Sequence, residues 1–338
     1  MITGANGGTK LITATLIAVA IVFVSGLGQS AWALSITDFS VFGGTEVFIH
    51  DTFRTDGLIG TNGDATVLGN ADVKSIYGIG KFTGGTSSEI DGKIVFNGSV
   101  SLGGNTHVTG DVNSGGNITG GVNVTIDGSA IATGTITLGG GSTTGGSFPG
   151  GTPETFGGIV LPAATVFSAG GTDITKGNGQ TTDLAPGVHG DLKLGANNFL
   201  TLHAGDYYFD SISIGNSLDL TLDLSGGLLN VYVVGDASIG TLLQTILGVG
   251  DGASQIYWET HGNFSVLGGA DWYGTVYAPS GDIFVGSNGE LYGAFWASGQ
   301  VEIEDNCILT HQPPIPEPGM MLLVAFGAGA AALRRRKL

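Results

Sequence analysis

This 338-residue sequence predicts an all-β fold, a parallel β-helix (β-solenoid). Helix is confined to an N-terminal signal helix and a C-terminal hydrophobic helix. Three observations predict it. Helix-period apolar patterns are nearly absent after residue 40, and short apolar–polar alternation replaces them. Gly, Asn and Asp punctuate that alternation every few residues, where tight turns need positive φ. Finally, "WYGTVYAPSGDIFVG" from Trp272 returns as "LYGAFWASGQVEIED" from Leu291. Tyr273-Gly274 matches Tyr292-Gly293 at an offset of 19, and Ser280-Gly281 matches Ser298-Gly299 at an offset of 18. A unit of that length holding about three short strands is one coil of a solenoid. An antiparallel sandwich or jelly roll is the competing architecture, since strands every eight to twelve residues or so would suit it too. The short strands and the coil-sized repeat favour the solenoid.

Residues 1–33 read as a secretory signal peptide. Lys10 precedes an apolar run, Leu11 to Val24, and Ala31-Trp32-Ala33 supplies the small-x-small cleavage site, with Ala31 and Ala33 as its small residues. Residues 34–138 form a first glycine-rich solenoid region. Val100 and Leu102 alternate there, as do Val122, Val124 and Ile126, and then Ile136 and Leu138. Residues 139–162, "GGGSTTGGSFPGGTPETFGGIVLP", read as a Gly/Ser/Thr/Pro linker. Residues 163–311 form a second solenoid region richer in apolar side chains, with Leu192/Leu194, Leu200/Leu202, Ile212/Ile214 and Leu218 through Leu224 alternating.

Residues 312–338 form the tail. Its apolar run, Met320 to Leu333, would be about 21 Å long as a helix against a bilayer core of roughly 30 Å. Arg334, Arg335, Arg336 and Lys337 follow and would stay cytoplasmic by the positive-inside rule. Pro316, Glu317 and Pro318 precede the run and cannot continue a helix. The sequence thus predicts a transient inner-membrane tether, with a permanent C-terminal anchor as the alternative.

Charge narrows the partners. All 28 acidic residues lie between the two membrane segments, against six basic ones, and no Lys or Arg occurs between Lys193 and Arg334. Such a surface repels phosphate, so nucleic acid is excluded as a partner. Solubility is the first use of the charge, and divalent cations or basic partners are the second. The lone Cys307 permits no internal disulfide and reads as a buried strand-end thiol.

No GxSxG, Walker, HExxH or CxxC motif is present, and Gly78 to Gly80 opens no helix, so no nucleotide site is assigned. His50, His107, His189, His203, His261 and His311 lack metal-ligand spacing and read as solvated or strand-end residues. The best metal candidates are the evenly spaced carboxylates Asp219 and Asp223, and Glu302 and Glu304. Each pair shares one strand face, where it could offer oxygens to Ca²⁺ or act as a glycosidase pair. Ordinary outward polar residues are the plainer account, and no cofactor is expected. The second-half aromatics Tyr207, Tyr208, Trp258, Trp272, Tyr273, Tyr277, Tyr292 and Trp296 fill a core or offer a surface for sugars or self-association. Thr133, Thr135 and Thr137 alternate along one strand.

The Pro-Glu-Pro triplet, short apolar helix and Arg cluster together resemble the PEP-CTERM sorting tail. That resemblance implies an exosortase-type membrane enzyme that recognises Pro316, Glu317 and Pro318, and a bacterium that makes exopolysaccharide. Leu184 to His311 also resembles exported Gly-rich bacterial proteins with polymer-forming, bactofilin-like β-solenoid repeats. Together they imply a non-enzymatic, exported cell-surface or extracellular-matrix structural protein, associated with exopolysaccharide or biofilm. The alternatives are a β-helix polysaccharide-degrading enzyme and a carbohydrate- or ice-binding adhesin.

Overall fold

The computed structural model describes residues 34–248 and 252–314. The expected terminal helices, the cleavage residues Ala31 and Ala33, and the sorting residues Pro316, Glu317, Pro318, Arg334, Arg335 and Arg336 lie outside the described residues. Within them the chain is a parallel β-solenoid, and its only helices are the single 3-10 turns Ile36–Asp38 and Ala253–Gln255. No helix among the described residues is long and apolar enough to cross a membrane.

Each coil lays one strand on each of three faces, here A, B and C in chain order. In the first complete coil these are Phe39–Gly43, Glu46–Ile49 and Arg54–Thr55. Face B is a thirteen-stranded sheet whose pairings are all parallel. Longer strands such as Thr125–Ala132 and Asp271–Ala278 bend from face C onto face A, pairing on both sides of the corner. The bend in Asp271–Ala278 and Glu290–Ala297 falls at Gly274 (φ 118) and Gly293 (φ 142), a conformation closed to L side chains. That requirement is why the Tyr-Gly pair repeats.

The coils do not stack in chain order. On face B the stack runs from Ile136–Leu138 at one tip down to Glu46–Ile49, and then passes directly to Gln300–Ile303. From there it continues to Ile174–Lys176 at the other tip. The chain therefore enters in mid-stack and winds outward to Pro149. It crosses the whole stack as an extended strap, residues 150–173, and winds back to His311 beside its starting point. A strap of that length reaches about 80 Å when extended, and thirteen strands span about 60 Å, so the crossing is possible without a helix.

Two predicted boundaries change. The irregular segment begins at Gly150 rather than Gly139 and runs on to Asp173, because Thr143–Pro149 is recruited as a further strand by pairing with Thr125–Ala132. The two solenoid regions also share their sheets across the mid-stack junction, so the described residues of both stand in one stack.

Inward side chains form one continuous aliphatic core along the axis, from Val112 and Ile118 through Val47 and Val301 to Leu192 and Leu220. At the corners, Asn and Asp carboxamide or carboxylate oxygens accept backbone N–H groups of the next coil. Asp64 Oδ1 accepts from Lys81 N (2.9 Å), Asp111 Oδ1 from Ser129 N (2.7 Å) and Asp282 Oδ1 from Gln300 N (2.8 Å). Much of the acidic content thus caps corners that would otherwise leave amides unpaired.

Candidate functional site

Face A is occupied by the strap. Asn97 and Asn62 each hold it by a two-way amide pair, to Phe156 and to Ile159, at 2.8–3.0 Å. Tyr277 Oη donates to Pro162 O. Glu259, only 1% exposed, then accepts from Thr165 N (2.6 Å), Thr165 Oγ1 (2.7 Å) and Tyr257 Oη (3.0 Å), and lies 2.9 Å from His261 Nε2. Four partners compensate the buried carboxylate. Burial, and then the Glu259 charge, raise the Tyr257 phenol well above its ordinary range.

This arrangement explains the predicted aromatics. Tyr277 and Trp296 point away from the main core, which takes their neighbours Val276 and Phe295. They are nevertheless buried, in a second apolar cluster with Phe39, Phe42, Tyr77 and Phe156 of the strap. Trp258 and Trp272 pack edge to face at 5.2 Å inside the main core, and Tyr207 is buried there too. Tyr273 and Tyr292, both half-buried, stack at 4.7 Å on face C. Among the described residues no large exposed aromatic platform results.

The predicted acidic pairs keep their geometry but do not converge. Asp219 and Asp223 face out of Asp219–Asp223 on face C, while Glu302 faces out of Gln300–Ile303 on face B. Glu304 accepts from Ser287 Oγ at 2.8 Å. Among the described residues no group of three or more His, Cys, Asp or Glu is arranged to hold a metal ion. Cys307 is fully buried at a strand end, and burial raises its thiol pKa.

The histidines hold what sequence reasoning missed. His203 bridges three coils, with Nε2 2.7 Å from Asp183 and Nδ1 3.2 Å from Asp223. His107 does the same between Glu89 (2.8 Å) and Asp127 (2.9 Å). Hydrogen bonds to Asp183 and to Asp127, respectively, raise the two imidazole pKa values. His50 meets Glu302 at 3.0 Å across the mid-stack junction. The signal was legible, since Asp183, His203 and Asp223 recur at intervals of 20, one coil apart. These are ladders between neighbouring coils, and solvent-exposed members stabilise only weakly.

Face B is one of two faces that the described residues leave uncovered. Its outward row in the first half is Thr66, Thr83, Ser101, Thr119 and Thr137, adjacent in register. The row runs across coils, not along one strand as "ATGTITLG" suggests, because Thr133 and Thr135 lie before the three-residue strand Ile136–Leu138. At its inner end the row reaches Phe48, and past the junction it continues through Glu302 and Phe284 to Ser265, Ser238 and Ser213.

The described body is thus a rod-like parallel solenoid with one covered and two open faces. The chain carries the PEP-CTERM protein-sorting motif, matched over residues 314–337, immediately beyond the last strand. That motif marks it for export through membrane-associated exosortase sorting. Among solved structures it is similar to the ice binding protein from an Antarctic bacterium, Flavobacteriaceae. The two are 14% identical, with a TM-score of 0.32 over 82% of this chain and 98% of that one. No curated protein matches it significantly.

Proposed function

We propose that this is an exported structural protein of the cell surface or extracellular matrix, delivered by an exosortase-type enzyme and working with exopolysaccharide in a biofilm or envelope. The observation that carries the reading is the sorting motif beginning at Pro314, three residues after the last strand ends at His311. The rod itself is the working part, with no catalytic centre and no cofactor. Its acidic candidates stand on different faces, which supports a scaffold over a polysaccharide-degrading site. In cells, wild type is expected in a shortened form at the surface or in the medium. A Glu317→Ala variant is expected to stay full-length in the inner-membrane fraction. Unchanged size and location in that variant would remove the sorting reading.

The hydroxyl row on face B favours a second reading, an adhesin that binds carbohydrate or ice. Thr83→Tyr and Thr119→Tyr would then abolish binding to polysaccharide or ice while leaving sorting intact.

A further inference from the structure

The two tips of the stack are built alike. The last coil of the outward half reads "ITLGGGSTT" (136–144) and the first coil of the returning half reads "ITKGNGQTT" (174–182), identical at six of nine positions. The likeness extends to backbone, since Gly141 (φ 78) and Gly179 (φ 68) occupy the same left-handed corner. Each tip strand is paired on one side only, Ile136–Leu138 with Ile118–Gly120 and Ile174–Lys176 with Leu192–Leu194. Ile136, Leu138, Ile174 and Leu184 belong to the axial core yet remain only partly buried, because no coil covers them.

We propose that copies of this chain stack tip to tip, the Ile136–Pro149 edge of one receiving the Ile174–Val188 edge of the next. Three features support a second copy as the occupant. Both halves wind in the same sense, so the next coil beyond Leu138 takes Ile174 over Ile136 and Thr175 over Thr137 in unbroken parallel register. The molecule already makes one such coil-on-coil junction without a covalent link, between Glu46–Ile49 and Gln300–Ile303. And in this strongly acidic chain residues 134–149 carry no charge at all, so nothing opposes Asp173 or Asp183 of the arriving edge. A contact between two different surfaces does not close on itself, and repetition gives a filament. Lys176 stands at the inward register position beside Leu194 and would face Leu138 of the next copy. A charge at that position holds an edge strand back from indiscriminate pairing, so association is weak and concentration-dependent. The proposal supplies a partner for the scaffold reading but does not rest on the sorting motif.

The test uses the full chain, purified in non-denaturing detergent and followed by sedimentation against protein concentration. Wild type is expected to form whole-number multiples of the monomer. Ile136→Lys and Ile174→Lys are each expected to remain monomeric alone. Mixed together they form dimers and nothing larger, because each retains one open tip. Lys176→Leu is expected to lower the half-association concentration roughly tenfold. Both isoleucines are at the ends, so circular dichroism of the variants should match wild type. Wild type that stays monomeric at every concentration would overturn the proposal. So would a double variant that associates as wild type does, which would place association in the detergent-bound tail.

Discussion

The two halves of the stack reach the same architecture by different means. In the first half, Val47, Ala65, Phe82, Val100, Ile118 and Ile136 fall in register at intervals of 17 or 18 residues. In the second, Ile174, Leu192, Ile212, Ala237, Phe264, Ile283 and Val301 are separated by 18 to 27. The strands stay in register while the corners absorb the extra residues. The regular half has glycine-tight corners and a hydroxyl row in register along face B. The irregular half has wider corners and a core thickened by Trp258, Trp272 and Phe264. Strand register therefore holds a solenoid together, and corner length is free to vary.

The largest expected effect breaks this contrast in the core. Trp272→Ala in the second half should cost about 3–5 kcal/mol, against about 0.5–1.5 for Ile118→Val in the first. Denaturant unfolding of both variants would measure the difference, and equal costs would mean the second half relaxes around the cavity. Next is the tie between the halves. Glu259→Ala strands the buried Thr165 amide and Tyr257 hydroxyl, at a cost of roughly 3 kcal/mol. Limited proteolysis should then cut within the strap, residues 150–173, before any strand. A strap as resistant as wild type would show that its Asn pairs suffice.

The corners sharpen the comparison at a smaller scale. Asn105 (φ 58) and Leu242 (φ 59) occupy the same left-handed position, which Asn tolerates and Leu does not. Asn105→Leu should destabilise by about 1–2 kcal/mol, and Leu242→Asn should stabilise by about 1. Thermal melts that move both variants the same way would refute the strain argument. The smallest effect is pH-linked. The folded-state pKa values of His107 and His203 are raised, so their contribution is fully present below the unfolded value, about 6.5. It is lost as pH rises through the folded values. The melting temperature should fall slightly from pH 6 upward, and replacing both with Gln should flatten that slope.

The acidic surplus shows where sequence reasoning stopped short. Taken as free surface charge, it suggested solubility first, and cations or basic partners second. Asp64, Asp111 and Asp282 instead cap corner amides, a role visible only once a coil of 17 or 18 residues places each beside the backbone N–H that donates to it. The aromatics tell the same story. Alternation set Tyr277 and Trp296 opposite their neighbours, but it could not reveal that they pack with Phe156 of the strap in a second apolar cluster.

By itself the sequence determined the parallel solenoid, the length of its regular coils and the sorting tail. All of these follow from contacts two residues or one coil apart, and such periodicities are written in the chain. Only the tertiary structure decided that the chain starts in mid-stack, that a strap spans face A, and that His50 meets Glu302 across the junction. Successive coils look alike to local physics, so any could stack on any other. The choice falls to contacts between residues some 250 positions apart, such as His50 with Glu302 and Trp296 Nε1 with Phe39 O, and no pattern within one coil encodes them.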